Sequence, residues 1–194
     1  LGMDVDIFNE RGKSIQSKKG ELVCKKPFPS MPLKFWNDKN NKKFEKAYFQ
    51  RFKNIWHHGD YAEVKKSDGY IIYGRSDTTL NPGGVRLGTA EIYSEVEKFK
   101  QVKESLAVGQ SWDNDIRIIL FIILNKGYDL NNDLVKKIKK QIRINASPRH
   151  VPEKIISVTD IPRTKNGKIV ELAVKNTIEG NKIKNKEALA NPEI

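Results

Sequence analysis

The chain has 194 residues and a mass of 22.2 kDa, with 38% hydrophobic and 31% charged residues. That is enough for one medium domain or two small ones, and too apolar for a disordered tail. Its longest uninterrupted apolar run, Ile118 to Leu124, has seven residues, well short of the roughly 20 a helix needs to cross a bilayer. No membrane partner is expected. Its single cysteine, Cys24, excludes an intrachain disulfide and suits a reducing, cytoplasmic setting. With 36 Lys and Arg against 24 Asp and Glu, the net charge of +12 favours anionic partners: nucleic acid, anionic lipid or phosphorylated small molecules. The opening residues, Leu1 to Asp6, carry neither an initiator Met nor a signal pattern, so the chain reads as a piece of something longer.

Residues 1–76 read as rich in strands and turns. Asp4 to Phe8 alternates, Asn9 to Lys13 is a turn, and Gly20 to Cys24 starts another strand. Pro27-Phe28-Pro29-Ser30-Met31-Pro32 must be a loop, because each proline removes a backbone donor and disfavours helix before it. A polar stretch, Asp38 to Lys43, precedes the aromatic-rich Tyr48 to Phe52. Tyr61 to Val64 and Tyr70 to Tyr73, joined through Asp68-Gly69, read as a hairpin.

After Gly74 strands alternate with helices, the pattern of a mixed α/β unit, and a boundary is expected near residue 77. Thr89 is positioned to cap a helix with Ile92, Val96 and Phe99 inward and Glu91 in its first turn. Ser105 to Gln110 and Ile116 to Leu124 read as strands, the second apolar on both faces and therefore central. Asn131 or Asn132 opens a helix presenting Leu134, Ile138 and Ile142 while Lys136, Lys137, Lys139 and Lys140 stay in water. Ile155 to Val158 is a short strand. A last helix is expected from about Lys168, with Ile169, Leu172 and Ala173 inward, stopping at Gly180. Residues 182–194 read as a polar tail.

Three segments carry chemistry. Pro162-Arg163-Thr164-Lys165-Asn166-Gly167-Lys168 is a basic loop placed, on this reading, at a helix start where an anion would be welcome; alone it also reads as a solvated turn. Tyr73-Gly74-Arg75-Ser76-Asp77 crosses the boundary, and Leu80 to Arg86 includes Gly83-Gly84, bare backbone along which a ligand could pass; the bland reading is linker and turn. His58-Gly59-Asp60 puts a carboxylate after a glycine at a strand start, where it can accept two hydroxyl hydrogen bonds, although an ordinary turn residue reads the same.

Taken together, in this order, the three segments resemble the adenylate-forming enzymes: acyl-CoA synthetases, adenylation domains of peptide synthetases, and luciferases. The resemblance spans almost the whole chain. It implies an α+β fold in which 1–76 is the β-rich end of the large AMP-binding domain and 77–194 the small mobile carboxyl-terminal domain. It implies that acid and ATP give an acyl-adenylate and pyrophosphate, and that the CoA thiol then releases thioester and AMP. Carried over by position, Asp60 and Arg75 become nucleotide contacts, Asp77 the hinge and Lys168 the catalytic lysine. Gly83, Gly84, Arg86 and Arg143 become CoA contacts. ATP and CoA enter as substrates, with Mg2+ expected beside ATP and its ligands outside this sequence. Four further stretches, Lys26 to Pro32, Leu80 to Arg86, Ser147 to Pro152 and Lys184 to Pro192, narrow the resemblance to the branch that takes a short-chain keto acid; acetyl-CoA synthetases carry Ser-Gly-His-Arg in place of Gly83-Gly84-Val85-Arg86. The family's Ser/Thr/Gly-rich phosphate loop and its Tyr-Gly-x-Thr-Glu motif do not occur in these residues. The upstream remainder of the polypeptide is thus an expected partner, and the chain alone is expected to be inactive.

A ligase for another short-chain acid and a basic nucleic-acid-binding module are the rival readings. Against the second, the lysines are scattered over several segments, and no helix-turn-helix or base-stacking motif is visible. Trp36, Trp56 and Trp112 read as packing or loop anchors, His57, His58 and His150 lack a metal-binding grouping, and Cys24 reads as a small buried residue on a strand.

Overall fold

The computed structural model describes residues 2–183 and 186–193. The chain divides into two compact units, Leu1–Ser76 and Asp77–Ile194.

In the first unit, β1 (Val5–Phe8), β2 (Gly20–Cys24), β3 (Trp56–Val64) and β4 (Tyr70–Arg75) form one antiparallel sheet in that order. The β3–β4 turn closes as the Asp-Gly signal predicts, with Lys65 N–H donating to the Gly69 carbonyl at 2.8 Å. Asp68, at φ 61°, takes the left-handed position, which a short polar side chain tolerates. The sequence reading missed α1 (Lys42–Tyr48). The Asp38 carboxylate accepts from the backbone N–H of Lys43 and of Phe44 at 3.0 and 2.8 Å, satisfying donors that a helix start leaves open. This helix turns Phe44 and Tyr48 onto Trp56, which stacks on Tyr48 at 3.8 Å between ring centroids and meets Phe28 and Phe49 edge-on. Trp56 is thus the expected packing anchor, whereas Trp36 is 97% exposed. Cys24 is buried on β2, as its reading required.

In the second unit β5 (Val102–Trp112), β6 (Asp115–Leu124) and β7 (Lys154–Ser157) form a sheet in that order, β6 antiparallel to β5 and parallel to β7. Strand β6 is central and two-faced, as its continuous apolar run predicts. Ile118, Leu120 and Ile122 join the core built by α2 (Ala90–Val96) and α3 (Asn132–Asn145), while Ile119 and Ile123 join the core under α4 (Glu171–Ile178). Each fully buried Leu or Ile contributes roughly 1.5–3 kcal/mol to that packing. Helix α3 matches expectation: Asn131 caps it by accepting from Leu134 N–H at 2.9 Å, and Leu134, Ile138 and Ile142 are buried.

The other helix readings need correction. Helix α2 ends at Val96, so Phe99 packs on the core from beyond the helix. Thr89 holds the N-cap position without a side-chain capping bond. Helix α4 starts at Glu171 and turns Ala173, Val174 and Ile178 inward, while Ile169 and Leu172 are 36% and 41% exposed. Of the expected inward set only Ala173 is buried; Val174 and Ile178, four residues apart, take the place of Ile169 and Leu172 against the sheet. The segment read as a structureless tail also has structure. Lys186 to Ala188 make a 3-10 turn, and Leu189 is buried and bridges Thr164. Lys184 and Asn185 of that stretch lie outside the described residues.

Candidate functional site

Antiparallel register puts Asp60 on β3 opposite Arg75 on β4. The Asp60 carboxylate meets His58 Nδ1 at 2.9 Å and Arg75 Nη1 at 3.4 Å, and that Nη1 also donates to the His58 carbonyl at 2.6 Å. The His58 hydrogen bond, with the charges of His58 and Arg75 behind it, holds the Asp60 carboxyl below its ordinary range against the opposing effect of burial. It therefore stays ionised and acceptor-only, with lone pairs left for further donors. Gly59 makes the pairing possible: its φ is +85°, and a Cβ there would sit 2.8 Å from Arg75 Nη2. Glycine is required by the backbone conformation, and a Cβ would also have to push the Arg75 guanidinium aside. Tyr61 pairs Gly74 while Ala62 pairs Ile72, so Tyr73 is an extra residue in β4, and the bulge sets Arg75 into its register.

A neighbouring constellation escaped the sequence reading. Glu21, 1% exposed on β2, accepts from Arg51 at 3.0 Å, meets His57 Nε2 at 2.8 Å and bonds the Ser76 hydroxyl. Glu21 and its three partners lie apart in the sequence, so no local pattern announces them. Burying a carboxylate is tolerated because each oxygen has a cationic or hydroxyl partner, and the last residue before Asp77 is pinned as a result. Asp77 itself is exposed.

In the second unit, residues 80–87 form a small hairpin. Leu80 N–H donates to Leu87 O at 2.9 Å and Leu87 N–H to Leu80 O at 2.8 Å, with both side chains buried. Gly83 and Gly84 stand exposed at its tip with φ of +57° and +73°, conformations that L side chains resist. The Asp115 carboxylate, at the β5–β6 turn, receives Gly83 N–H at 2.9 and 3.1 Å, and the N–H groups of Ile116 and Gly83 hold that carboxyl below its usual range. A cavity of about 560 Å³ lies between this tip and the β5–β6 turn, lined by Gly84, Trp112 and Asp115 among others. Trp112 is half-exposed, with the Arg117 guanidinium 3.7 Å from its ring centroid. Arg86 Nε donates to Thr79 Oγ1 at 3.0 Å.

Lys168 does not open a helix. Three residues short of α4, it lies in a tight hairpin: Arg163 bridges Ile169, Thr164 N–H donates to Lys168 O at 2.8 Å, Gly167 N–H to Thr164 O at 2.8 Å, and Lys168 N–H to Thr164 Oγ1 at 3.2 Å. Gly167 takes φ +78° at the turn. The helix-dipole argument therefore does not apply, and the first turn of α4 carries Glu171, bonded to the buried Tyr93 hydroxyl. That hydroxyl also accepts from Ala107 N–H at 3.0 Å; burial first, then the Glu171 charge, push its pKa well up, keeping it a proton donor. The Lys168 side chain is exposed, and among the described residues its ammonium has no bonding partner.

Arg143 is exposed in the last turn of α3. Thus the structure joins Asp60 with Arg75 in the first unit and places Gly83, Gly84 and Arg86 on one hairpin in the second, with Arg143 on a separate element, α3. His57 pairs with Glu21, His58 with Asp60, and the buried His150 with Ser147 and Glu91 at 2.8 and 3.2 Å. Among the described residues no group of three or more His, Cys, Asp or Glu side chains is placed to hold a metal ion. No described helix is long and apolar enough to cross a membrane.

No protein-family model matches the chain. It aligns over its full length with an acetoacetyl-coenzyme A synthetase of Rhizobium meliloti at 58% identity, covering 30% of that protein. With acetoacetyl-CoA synthetase of Mus musculus it is 47% identical, again over its whole length and 29% of the relative. The solved acetoacetyl-CoA synthetase of Streptomyces lividans superposes on all of this chain and 29% of its own, with a TM-score of 0.92 and 37% identity. An anthranilate CoA ligase, AuaEII, solved with anthranoyl-AMP, shares the fold at TM-score 0.81 and 23% identity, over 92% of this chain and 34% of its own. The relatives it matches are acetoacetyl-CoA synthetases, and its structural neighbours include AMP-binding acid:CoA ligases. More particularly, it corresponds to the carboxyl-terminal part of acetoacetyl-CoA synthetases, spanning about 30% of their length.

Proposed function

We propose that this chain is the carboxyl-terminal part of a ligase that joins acetoacetate to CoA through acetoacetyl-adenylate, consuming ATP and releasing AMP and pyrophosphate. Residues 1–76 complete the large AMP-binding domain: Asp60 accepts ribose hydroxyls and Arg75 holds the nucleotide. Residues 77–194 are the small domain, turning about Asp77 between the two half-reactions. Cytosolic residence belongs to the same reading, supported by the one free, buried cysteine.

One observation carries the assignment: Lys168 presents an exposed ammonium, without a bonding partner among the described residues, on a hairpin tied by its own backbone bonds. Adenylation must bring a carboxylate against the α-phosphate, two anions that repel. A compact, mobile point charge between them offsets that repulsion without a covalent intermediate, and lysine suits a group that enters and leaves the site better than a rigid guanidinium fork. In the second step the small domain withdraws Lys168 and presents Gly83-Gly84 to the pantetheine arm, with Arg86 and Arg143 toward the CoA phosphates. The chain alone is expected to turn nothing over.

The test is Lys168→Ala in the full-length ligase, with each half-reaction measured separately. Acetoacetate-dependent adenylate formation is expected to fall on the order of 10²–10³-fold, with thioester formation from supplied acetoacetyl-adenylate retained. Equal loss in both would remove the assignment.

A further inference from the structure

The segment read from sequence as a polar tail lies against the lysine hairpin. Lys165 N–H donates to Ala188 O at 3.2 Å, Ala190 N–H donates to Arg163 O at 2.8 Å, and Leu189 bridges Thr164. Residues 163–165 thus form a middle strand, with the tail on one side and Lys168-Ile169 on the other. Leu189, 7% exposed, seats in an apolar hollow formed with Val170, Leu172, Ala173 and Ile183.

Asn191 locks this arrangement. Its Oδ1 accepts from Arg163 N–H at 2.9 Å, and its Nδ2 donates to Asp160 Oδ2 at 2.9 Å and to Ile161 O at 3.1 Å. The orientation of the amide is determined, because turning it would set NH₂ against an N–H and oxygen against a carboxylate and a carbonyl. One side chain therefore fixes three backbone or side-chain groups between Asp160 and Arg163, at the base of the hairpin. On the sheet side Arg163 is held by the Glu104 carboxylate of β5. The hairpin is clamped at its base by two groups distant in sequence, while its tip stays exposed.

Resting on the role proposed for Lys168, we infer that Asn191 is a positioning residue for adenylation: with segment 186–191 it holds the lysine hairpin in the geometry from which the ammonium reaches the reacting anions. An unbraced hairpin samples many tip positions, and a displacement of about 1 Å at a reacting group can cost on the order of 10²-fold in rate.

The experiment uses the full-length ligase carrying Asn191→Ala, with Lys168→Ala alongside. Asn191→Ala is expected to lower kcat for adenylation about 10- to 100-fold with little change in the KM for ATP and none in thioester formation from supplied adenylate. Amide hydrogen exchange is expected to quicken at Thr164, Gly167 and Lys168 while β5 and β6 keep their protection. Unchanged adenylation overturns the inference, as does an equal fall in both half-reactions or a general loss of protection in the small domain, each the mark of a merely structural residue. If Lys168→Ala abolishes adenylation and Asn191→Ala spares it, only the brace is wrong; if Lys168→Ala spares adenylation, the lysine assignment falls first and the brace's catalytic role with it.

Discussion

The Asp60–Arg75 pair and the Lys168 hairpin are two opposite ways of presenting a charge. Asp60 and Arg75 face each other across paired strands, with Gly59 making room and His58 holding the second carboxylate oxygen. Lys168 stands next to an exposed hairpin tip, its backbone tied to Thr164 and its side chain in the open. A group that binds substrate gains from being held in one place before the ligand arrives. A group needed in only one of two steps gains from a firm base and a side chain free to leave.

Substitutions separate these designs. The largest kinetic effect with the smallest thermodynamic one is expected at Lys168: Lys168→Ala is expected to lower adenylation on the order of 10²–10³-fold and to leave the melting temperature of the small domain unchanged, because no packing or bond among the described residues is lost. A shift of several degrees would mean that the hairpin tip is structural. Next comes Asp77→Pro. Fixing φ at the start of the second unit is expected to hold one domain orientation and impair mainly one half-reaction, and equal rates with wild type in both would deny a hinge there.

Gly59→Ala reverses the Lys168 pattern. A Cβ at φ +85° and 2.8 Å from Arg75 Nη2 is expected to destabilise the first unit by roughly 1–3 kcal/mol and to raise the KM for ATP, as denaturant melts and steady-state kinetics would reveal. Wild-type stability would show that Arg75 moves aside freely. The smallest effect is on acid stability. The Asp60 carboxyl is lowered in the folded state, so its contribution is present above the ordinary carboxylate pKa of about 3.9 and is lost as pH falls through the lower folded value. Asp60→Asn should therefore flatten stability against pH below about 4, by less than about 1 kcal/mol since the pair is partly exposed. An unaltered acid limb would mean that His58 and Arg75 do not hold the carboxylate.

The same division runs through what could be read in advance. Wherever burial repeats along the chain, the reading was sound: the two-faced run of β6 and the spacing of Leu134, Ile138 and Ile142 each record which side meets a core. It failed where apolar residues on two sides of a short segment compete, as Val174 and Ile178 displace Ile169 and Leu172 beside the correctly read Ala173, and where a helix is too short for a period to repeat, as in α1.

By itself, the order of residues determined the alternation of strands and helices, the positions of the glycine-bearing turns, and the motifs around Asp60, Asp77 and Lys168, since each depends on near neighbours. Only the tertiary structure decided that Glu21 is buried beneath Ser76, that Lys168 belongs to a hairpin and not to a helix start, and that Asn191 closes the base of that hairpin. Glu21 and Ser76 are 55 residues apart, and Arg163 and Asn191 are 28 apart. Polar pairs over such distances leave no periodic trace, because each bond forms only after the surrounding core has brought its two ends together.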